Sequence, residues 1–198
     1  MQQFKHAGLI TAAGASSRMG FPKALLLLPD NTPLAQYQAE LLKRGGCKDV
    51  VVVLGSEADR IAKELPDCRT VTNERWEEGR LTSIQTGLRA LENYDGCFVM
   101  PVDAYGIQPA TLRAMREAAE TGNHQVVRPT HDGKPGHLVW ISRVVAEQVV
   151  ALDADGDTPM NEILAPHTHP IAVDDPAILR NINTPAEWET LRTDLPQG

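Results

Sequence analysis

A glycine-containing loop near the N-terminus carries the side chains best suited to chemistry on a phosphate. Gly14 is followed by Arg18 and Lys23, and small residues lie between them. Small residues allow backbone N–H groups to approach an anion closely, and an arginine and a lysine add fixed positive charge beside those donors. The loop is therefore suited to binding a phosphate-bearing ligand.

This loop differs from two familiar phosphate-binding motifs. A Walker A loop has a lysine directly after its second glycine, whereas Lys23 lies three residues after Gly20. A dinucleotide fingerprint has a second glycine two residues after the first, where this chain has Ser16. On the glycines alone, a flexible strand-to-helix turn without a ligand stays open. The full string, with Arg18 and Lys23 before an apolar run, is far more specific.

A carboxylate follows an apolar run in the middle of the chain. Asp103 comes directly after residues 96–102, which read as a buried strand. Ligands bind at the carboxyl ends of such strands in open α/β sheets, and Mg²⁺ takes one or two carboxylates together with phosphate oxygens. Arg18, Lys23 and Mg²⁺ around one triphosphate would supply the positioning and positive charge that nucleotidyl transfer requires. The alternative is that Asp103 caps a helix or closes a turn.

The elements that must position these residues alternate along the chain. Apolar and β-branched runs predict strands over 7–12, 50–54, 69–72, 97–100, 125–128 and 137–141, and near Ile178. Helical patterns predict helices from 34 to 44, from a Ser56 cap to Leu65, and over 81–91, 108–121, 142–152 and 159–164, with a last one from Pro185. This alternation predicts an α/β fold, a Rossmann-like and mostly parallel sheet with helices on both faces. We expect a single domain over residues 1–198.

Composition excludes several classes of protein. A net charge of -7 and a pI near 5.3 argue against nucleic acid as a partner, because such binders usually present a basic face. The chain has no apolar run of 18 residues and no secretory signal, so we expect no membrane partner. The cysteines Cys47, Cys68 and Cys97 form no CxxC pair, which predicts reduced thiols in a cytoplasmic protein.

The string from Ala12 to Lys23 resembles the MobA-like nucleotidyltransferases, and most of all the molybdenum cofactor cytidylyltransferases among them. The resemblance implies the fold of the nucleotide-diphospho-sugar transferases. It also implies that the backbone of Ala12, Ala13 and Gly14 contacts the base and phosphates of an NTP. Arg18 and Lys23 would neutralise the triphosphate, and Asp103 would bind Mg²⁺. The family pattern PxDxP lacks its second proline here, which puts the shape of this loop in question.

Three later segments are similar to further family motifs. Residues 73–84 follow the pattern NxxWxxGxxxSI, which implies that Asn73 and Ser83 help to hold the nucleotide. Residues 132–139 resemble GxxGHP, which would place His137 against the acceptor, although a lone histidine at a strand start is more often structural. Residues 181–188 are similar to [DN]x[DN]TPE, with Asn181 near the metal and Asn183 near the substrate. Thr184 before Pro185 is also a good helix start.

The resemblance leaves the base open. Asparagines in the last segment are typical of guanylyl enzymes of the group, whereas Ala12, Ala13 and Gly14 favour cytidine. The implied activity is Mg²⁺-dependent transfer of CMP from CTP to a phosphate-bearing acceptor such as molybdopterin, with release of pyrophosphate and a target molybdoenzyme as a further partner. The alternatives are a guanylyl or sugar-phosphate nucleotidyltransferase that uses GTP or another NTP, and a non-catalytic nucleotide-binding accessory protein.

Two segments look like metal sites, but we interpret neither as one. His167 and His169 lie in a predicted proline-flanked loop that has no third ligand at a useful spacing. Residues 153–157 resemble the start of a Ca²⁺ loop but lack the remaining ligands. We expect a solvated turn there.

Overall fold

The computed structural model describes residues 4–153 and 160–192. Within these residues the strands are β1 His6–Ala12, β2 Cys47–Leu54, β3 Arg69–Thr72, β4 Gly96–Pro101, β5 Val126–His131, β6 Lys134–Pro135, β7 Val139–Ser142 and β8 Thr168–Ala172. The helices are α1 Leu34–Arg44, α2 Ala58–Glu64, α3 Arg80–Ala90, α4 Pro109–Gly122, α5 Arg143–Ala151, α6 Met160–Leu164 and α7 Pro185–Leu191.

The strands described form one mixed sheet in the order β3-β2-β1-β4-β7-β5-β6, and β8 pairs with β5. The pairs β3–β2, β2–β1, β1–β4 and β5–β8 are parallel, whereas β7 and β6 run antiparallel to their neighbours. This arrangement confirms the predicted α/β fold with a mostly parallel sheet.

The hydrophobic core is divided by the sheet into two clusters. Alternate residues of β1 belong to different clusters, as Ile10 packs with residues of α1 and α4 while Leu9 packs with residues of α3 and α5. Residues 50–54 are buried throughout for the same reason, because a strand that is covered on both faces has no solvated side. Helices therefore cover both faces, as the sequence predicts.

The sequence interpretation is wrong near Ile178. Residues Pro176–Leu179 form a 3-10 helix rather than a strand, because the Asp175 carboxylate accepts a hydrogen bond from the Ala177 N–H at 3.1 Å and starts a tight turn. The predicted loop around His169 is also wrong, because Thr168–Ala172 forms a strand, β8, that pairs with β5.

Ser56 does not cap α2. The helix begins at Ala58 after Glu57, which adopts a left-handed conformation with φ 54°. The N–H of Ser56 instead donates to the carbonyl oxygen of Ala13 at 2.9 Å, which ties the end of β2 to the glycine loop. The last helix does start as predicted, since Thr184 and Glu187 form a capping box before α7.

The topology brings two chemically important loops together. Strands β1 and β4 are adjacent and parallel, with Thr11 opposite Pro101, so the chain leaves both strands at the same edge of the sheet. The Val102 N–H donates to the Thr11 carbonyl at 3.0 Å just beyond that edge. Among the described helices, none is long and apolar enough to cross a membrane.

Candidate active site

A cavity of about 430 Å³ opens at the carboxyl ends of β1 and β4. Its wall is built by the glycine loop, the start of α3, the loop after β4 and the segment before α7. All but one of the site residues predicted from the sequence line it: Ala12, Ala13, Gly14, Arg18, Lys23, Ser83, Asp103, His137, Asn181 and Asn183. The structure therefore gathers residues that lie as much as 171 positions apart in the sequence.

The glycine loop presents its backbone to this cavity. A Cβ atom at Gly14 would have no protein atom within 4 Å, and the residue does not adopt a left-handed conformation. Neither packing nor backbone strain in the described protein therefore requires glycine at this position. The absence of a side chain leaves room for a ligand to approach the backbone closely.

An ion pair between Lys23 and Asp103 occupies the centre of the site. The Lys23 ammonium lies 2.7 Å from Oδ2 of Asp103, and 13% of the lysine side chain and 19% of the aspartate side chain are exposed. The same ammonium donates to Oδ1 of Asn183 at 3.1 Å, and Arg18 donates to that oxygen at 3.2 Å. Oδ1 of Asn183 thus accepts hydrogen bonds from both cations that the sequence singles out, Arg18 and Lys23.

Asn181 contacts the carboxylate of Asp103. With its amide nitrogen facing Asp103, the orientation that satisfies both groups, Asn181 donates to Oδ1 at 2.6 Å and to Oδ2 at 3.0 Å. A nitrogen that donates in this way does not ligate a metal. In this state Asn181 orients Asp103, and it would have to turn its amide oxygen inward to act as a metal ligand.

The loop that carries Asp103 is held by side chains of α1 and α7. The amide nitrogen of Gln38 on α1 donates to the carbonyl oxygens of Val102 and Ala104 at 2.8 and 2.6 Å. Tyr105, which stands where the second proline of the family pattern would be, is buried against Trp188 with ring centroids 5.2 Å apart. Sequence reasoning missed Gln38, although its signal was a polar residue four positions after Leu34 on the apolar stripe of a helix.

Asn73 is the predicted site residue that does not line the cavity. It is buried, and its amide nitrogen donates to the hydroxyls of Thr82 and Ser83 at 2.9 and 3.0 Å. Asn73 therefore positions Ser83, which does reach the cavity. The structure thus places Asn73 behind the cavity wall, where it acts on the site through Ser83.

The N-terminus of α3 also opens toward the cavity. The helix follows Gly79, whose φ of 111° is accessible to glycine far more readily than to other residues. No side chain among the described residues caps this end. Uncapped N–H groups and the helix dipole favour an anion at such a position.

His137 and Arg80 also line the cavity. The His137 N–H donates to the Ile178 carbonyl at 3.0 Å, and the exposed side chain faces the cavity. Arg80 begins α3 and lines the same cavity, but sequence reasoning missed it, because an arginine at a helix start looks like an ordinary surface residue. Desolvation lowers the pKa of Arg80 although the side chain stays accessible, and the nearby Asp103 charge acts in the opposite direction.

The two metal-like segments of the sequence differ in how much of each the structure describes. Across residues 4–153 and 160–192, no group of three or more His, Cys, Asp or Glu side chains is arranged to hold a metal ion. The His169 ring stacks on the His124 ring with centroids 3.6 Å apart. Of the acidic stretch 153–157, residues 154–157 lie outside the described part of the chain.

Comparison with known proteins agrees with this architecture. The molybdenum cofactor cytidylyltransferase of Escherichia coli (strain K12) is 26% identical over 93% of this chain and 94% of its own length. The probable molybdenum cofactor guanylyltransferase of Mycobacterium marinum (strain ATCC BAA-535 / M) is 31% identical over 91% of this chain and 90% of its own length. The crystal structure of Rv0371c from Mycobacterium tuberculosis H37Rv shares the fold, with a TM-score of 0.81 and 24% identity over 98% of this chain and 100% of that chain.

The family itself is identified by a match to a family model that spans most of the chain. The model of the MobA-like NTP transferase domain matches residues 8–171, which include the glycine loop, Asp103 and His137. This chain belongs to the MobA-like NTP transferase family.

Proposed function

We propose that this chain is a Mg²⁺-dependent nucleotidyltransferase that transfers the NMP part of an NTP to the phosphate group of a small-molecule acceptor. CTP is the preferred donor in this proposal, and molybdopterin is the preferred acceptor. The observation that carries the proposal is the convergence of Arg18, Lys23 and Asp103 in one cavity beside an uncapped helix N-terminus. A molybdoenzyme that receives the product is part of the same proposal.

The chemistry needs no proton transfer from the protein. An oxygen of the acceptor's phosphate attacks the α-phosphorus of the NTP, and the bond from that phosphorus to the bridging oxygen of the β-phosphate breaks. The electron pair of that bond leaves with pyrophosphate. Because a phosphate dianion is already nucleophilic, the site has to supply positioning and positive charge. The backbone of the glycine loop, Arg18 and Lys23 supply both.

The donor set fits a magnesium ion. Asp103 supplies one carboxylate, and Mg²⁺ in nucleotide sites takes one or two carboxylates with phosphate oxygens and water. When bound, the ion would neutralise charge on the phosphates and help to orient them. The Lys23–Asp103 pair fits this role, because a Mg²⁺-bound triphosphate offers a new partner to each of its members. Asn181 would join as a ligand only after its amide rotates.

The base of the donor NTP is either cytosine or guanine in this proposal. One full-length relative is named a cytidylyltransferase and another a probable guanylyltransferase. Ala12 and Ala13 favour CTP by resemblance, whereas Asn181 and Asn183 favour GTP. The proposal places CTP first and treats GTP as the alternative.

Calorimetry with CTP and GTP, with and without Mg²⁺, tests the proposal first. We expect Mg²⁺-dependent binding of CTP that Lys23→Met weakens by about tenfold or more, because a charge-assisted contact to the triphosphate is lost. Lys48→Met is the matched control, since Lys48 is exposed at the start of β2. A preference for GTP would establish the guanylyl alternative, and failure to bind either nucleotide would overturn the proposal.

Pyrophosphate release then tests the transfer step. We expect release from the bound NTP when molybdopterin is added, and we would compare a sugar phosphate as the second acceptor. Tight NTP binding without pyrophosphate release from any acceptor would favour a non-catalytic nucleotide-binding protein.

A further inference from the structure

A second cavity of about 260 Å³ adjoins the nucleotide cavity and contains two arginines. Arg80 and Arg128 line it, together with His137 and the apolar side chains of Val99 and Val139. Arg80 and His137 line both cavities, so the two spaces meet at these side chains. A ligand in the second cavity would therefore lie beside the first.

Neither arginine of this cavity has a carboxylate within ion-pair distance in the described residues, although the charge of Asp103 acts on Arg80. Arg128 is half-buried, and its Nε atom is shielded from solvent without a hydrogen-bond partner. Neither Arg128 nor Arg80 forms an ion pair within residues 4–153 and 160–192. Other arginines of the chain do pair with carboxylates, namely Arg60, Arg69, Arg75, Arg116, Arg143 and Arg192.

Arg80 and Arg128 carry charge of the same sign on the wall of one cavity. Burial lowers the pKa of Arg128, and the charge of Arg80 lowers it further. Moving a cation without an ionic partner out of water costs free energy, and a second cation beside it adds to that cost. An anion between the two side chains would relieve both penalties.

We propose that Arg80 and Arg128 bind the phosphate dianion of the acceptor in a subsite next to the nucleotide cavity. The planar guanidinium forks suit a phosphate, and Val99 and Val139 add apolar side chains to the lining. The charge of Asp103 acts on Arg80, which puts this end of the subsite within electrostatic reach of the Lys23–Asp103 pair. The identity of the anion as the acceptor's phosphate rests on the function proposed above, whereas anion binding itself does not.

The subsite has a clear task in the proposed reaction. The acceptor's phosphate must approach a triphosphate that carries charge of the same sign. Two arginines on the acceptor side offset this repulsion and hold the attacking oxygen near its target, which is the contribution that phosphoryl and nucleotidyl transfer require from protein. A leaving pyrophosphate has the same chemistry, so the experiment must separate the two sources.

Titration of the full chain with inorganic phosphate tests the subsite while the α,β-methylene analogue of CTP or GTP and Mg²⁺ fill the first cavity. We expect Arg80→Gln and Arg128→Gln to weaken phosphate binding by about tenfold or more, and Arg128→Lys to keep part of the affinity. Arg113→Gln is the matched control, because Arg113 is exposed on α4 and its substitution removes the same charge. Equal phosphate affinity in the wild type, Arg80→Gln, Arg128→Gln and Arg113→Gln would overturn the proposal.

Two further measurements separate the remaining outcomes. If Arg128→Gln weakens pyrophosphate binding but not phosphate binding, the arginines serve the leaving group and the proposal is wrong. Melting temperature tests a structural role, since loss of an unpartnered half-buried charge should leave the fold as stable or more stable. A lower melting temperature with unchanged phosphate affinity would also contradict the proposal.

Failure of the proposed function would be recognised separately. If the nucleotide analogues do not bind, the proposed function is wrong, but anion binding at the arginine subsite can still be tested. Phosphate is then titrated into nucleotide-free protein that carries Lys23→Met, which removes a cation of the first cavity. The same ranking of Arg80→Gln, Arg128→Gln and Arg113→Gln supports an anion site, and no difference among them overturns it.

Discussion

The ammonium of Lys23 and the carboxylate of Asp103 neutralise each other across 2.7 Å, although 80 residues separate them in the sequence. Parallel pairing of β1 with β4 produces this contact, because both residues follow strands that end at the same edge of the sheet. Each member of the pair is the partner that a Mg²⁺-bound triphosphate would need.

Asp103→Asn should separate nucleotide binding from the response to Mg²⁺. Because the substitution releases Lys23, we expect NTP binding without Mg²⁺ to be equal to or tighter than in the wild type. The gain in affinity on adding Mg²⁺ should disappear, and turnover should fall by about 10²–10³-fold, as when a group that stabilises transition-state charge is lost. Calorimetry and pyrophosphate release measure these effects.

Asp67→Asn is the control for that experiment, since Asp67 is exposed in the turn before β3. It should bind and turn over like the wild type. A normal Mg²⁺ response in Asp103→Asn would contradict a metal-binding role for Asp103.

Asn181→Asp should lower the Mg²⁺ concentration that is needed for half-maximal turnover. The amide of Asn181 donates to the Asp103 carboxylate, so an aspartate there replaces a favourable contact by a repulsive one unless a cation lies between them. We therefore expect a lower melting temperature without Mg²⁺ and a larger rise on adding Mg²⁺ than in the wild type. The exposed Asn93→Asp adds the same charge in a loop and should show neither change. The same melting curves with and without Mg²⁺ in Asn181→Asp and wild type would contradict the arrangement.

Gln38→Leu should impair both stability and turnover. It leaves the carbonyl oxygens of Val102 and Ala104 without their donor, and an unsatisfied buried group costs about 1–3 kcal/mol. Turnover should fall more than NTP affinity, because the loop between these carbonyls carries Asp103. Urea unfolding and steady-state kinetics measure the two effects.

Gln36→Leu is the matched control on the same helix. Gln36 donates to Glu40 in an exposed pair at 3.2 Å, so its loss should change the free energy of unfolding by less than about 0.5 kcal/mol. If Gln38→Leu behaved like Gln36→Leu in both measurements, Gln38 would not position the Asp103 loop.

His6 should make the protein less stable at low pH. The Trp140 N–H donates to Nδ1 of His6 at 3.1 Å, and Nε2 lies 2.9 Å from Glu120. Burial lowers the pKa of His6 below 6.5, although Glu120 acts in the opposite direction. The unfolded chain therefore binds a proton that the folded protein resists, so the free energy of unfolding is highest above about pH 6.5 and falls as the pH drops below it.

Melting temperatures between pH 7.5 and 5 test this assignment. His6→Gln should show a shallower fall with decreasing pH than the wild type, whereas the exposed His167→Gln should keep the slope of the wild type. Identical slopes in all three proteins would show that His6 is not the group responsible.

Local patterns in the sequence were enough to predict most strands and helices and part of the site. Residues 50–54 read as a buried strand because β-branched residues fill them, and Thr184 with Pro185 predicted the start of α7. Asp103 could be placed at the edge of the sheet because it directly follows a buried strand, and parallel strands end at one edge. Arg18 and Lys23 could be singled out because they share one loop with Gly14. Each of these inferences depends on residues that are neighbours in the sequence.

Tertiary structure decided the features that depend on distant partners. Gln38 supports the Asp103 loop only because α1 packs beside it, and Asn73 is turned inward by the hydroxyls at the start of α3. The 3-10 helix at Pro176–Leu179 forms where local composition suggested a strand, because Asp175 caps it while also accepting from Thr111 on α4. Arg80 and Arg128 become neighbours because α3 and β5 border one cavity. A local pattern predicts which backbone conformation a segment prefers, but the side chains that meet across the fold are set by packing of the whole chain.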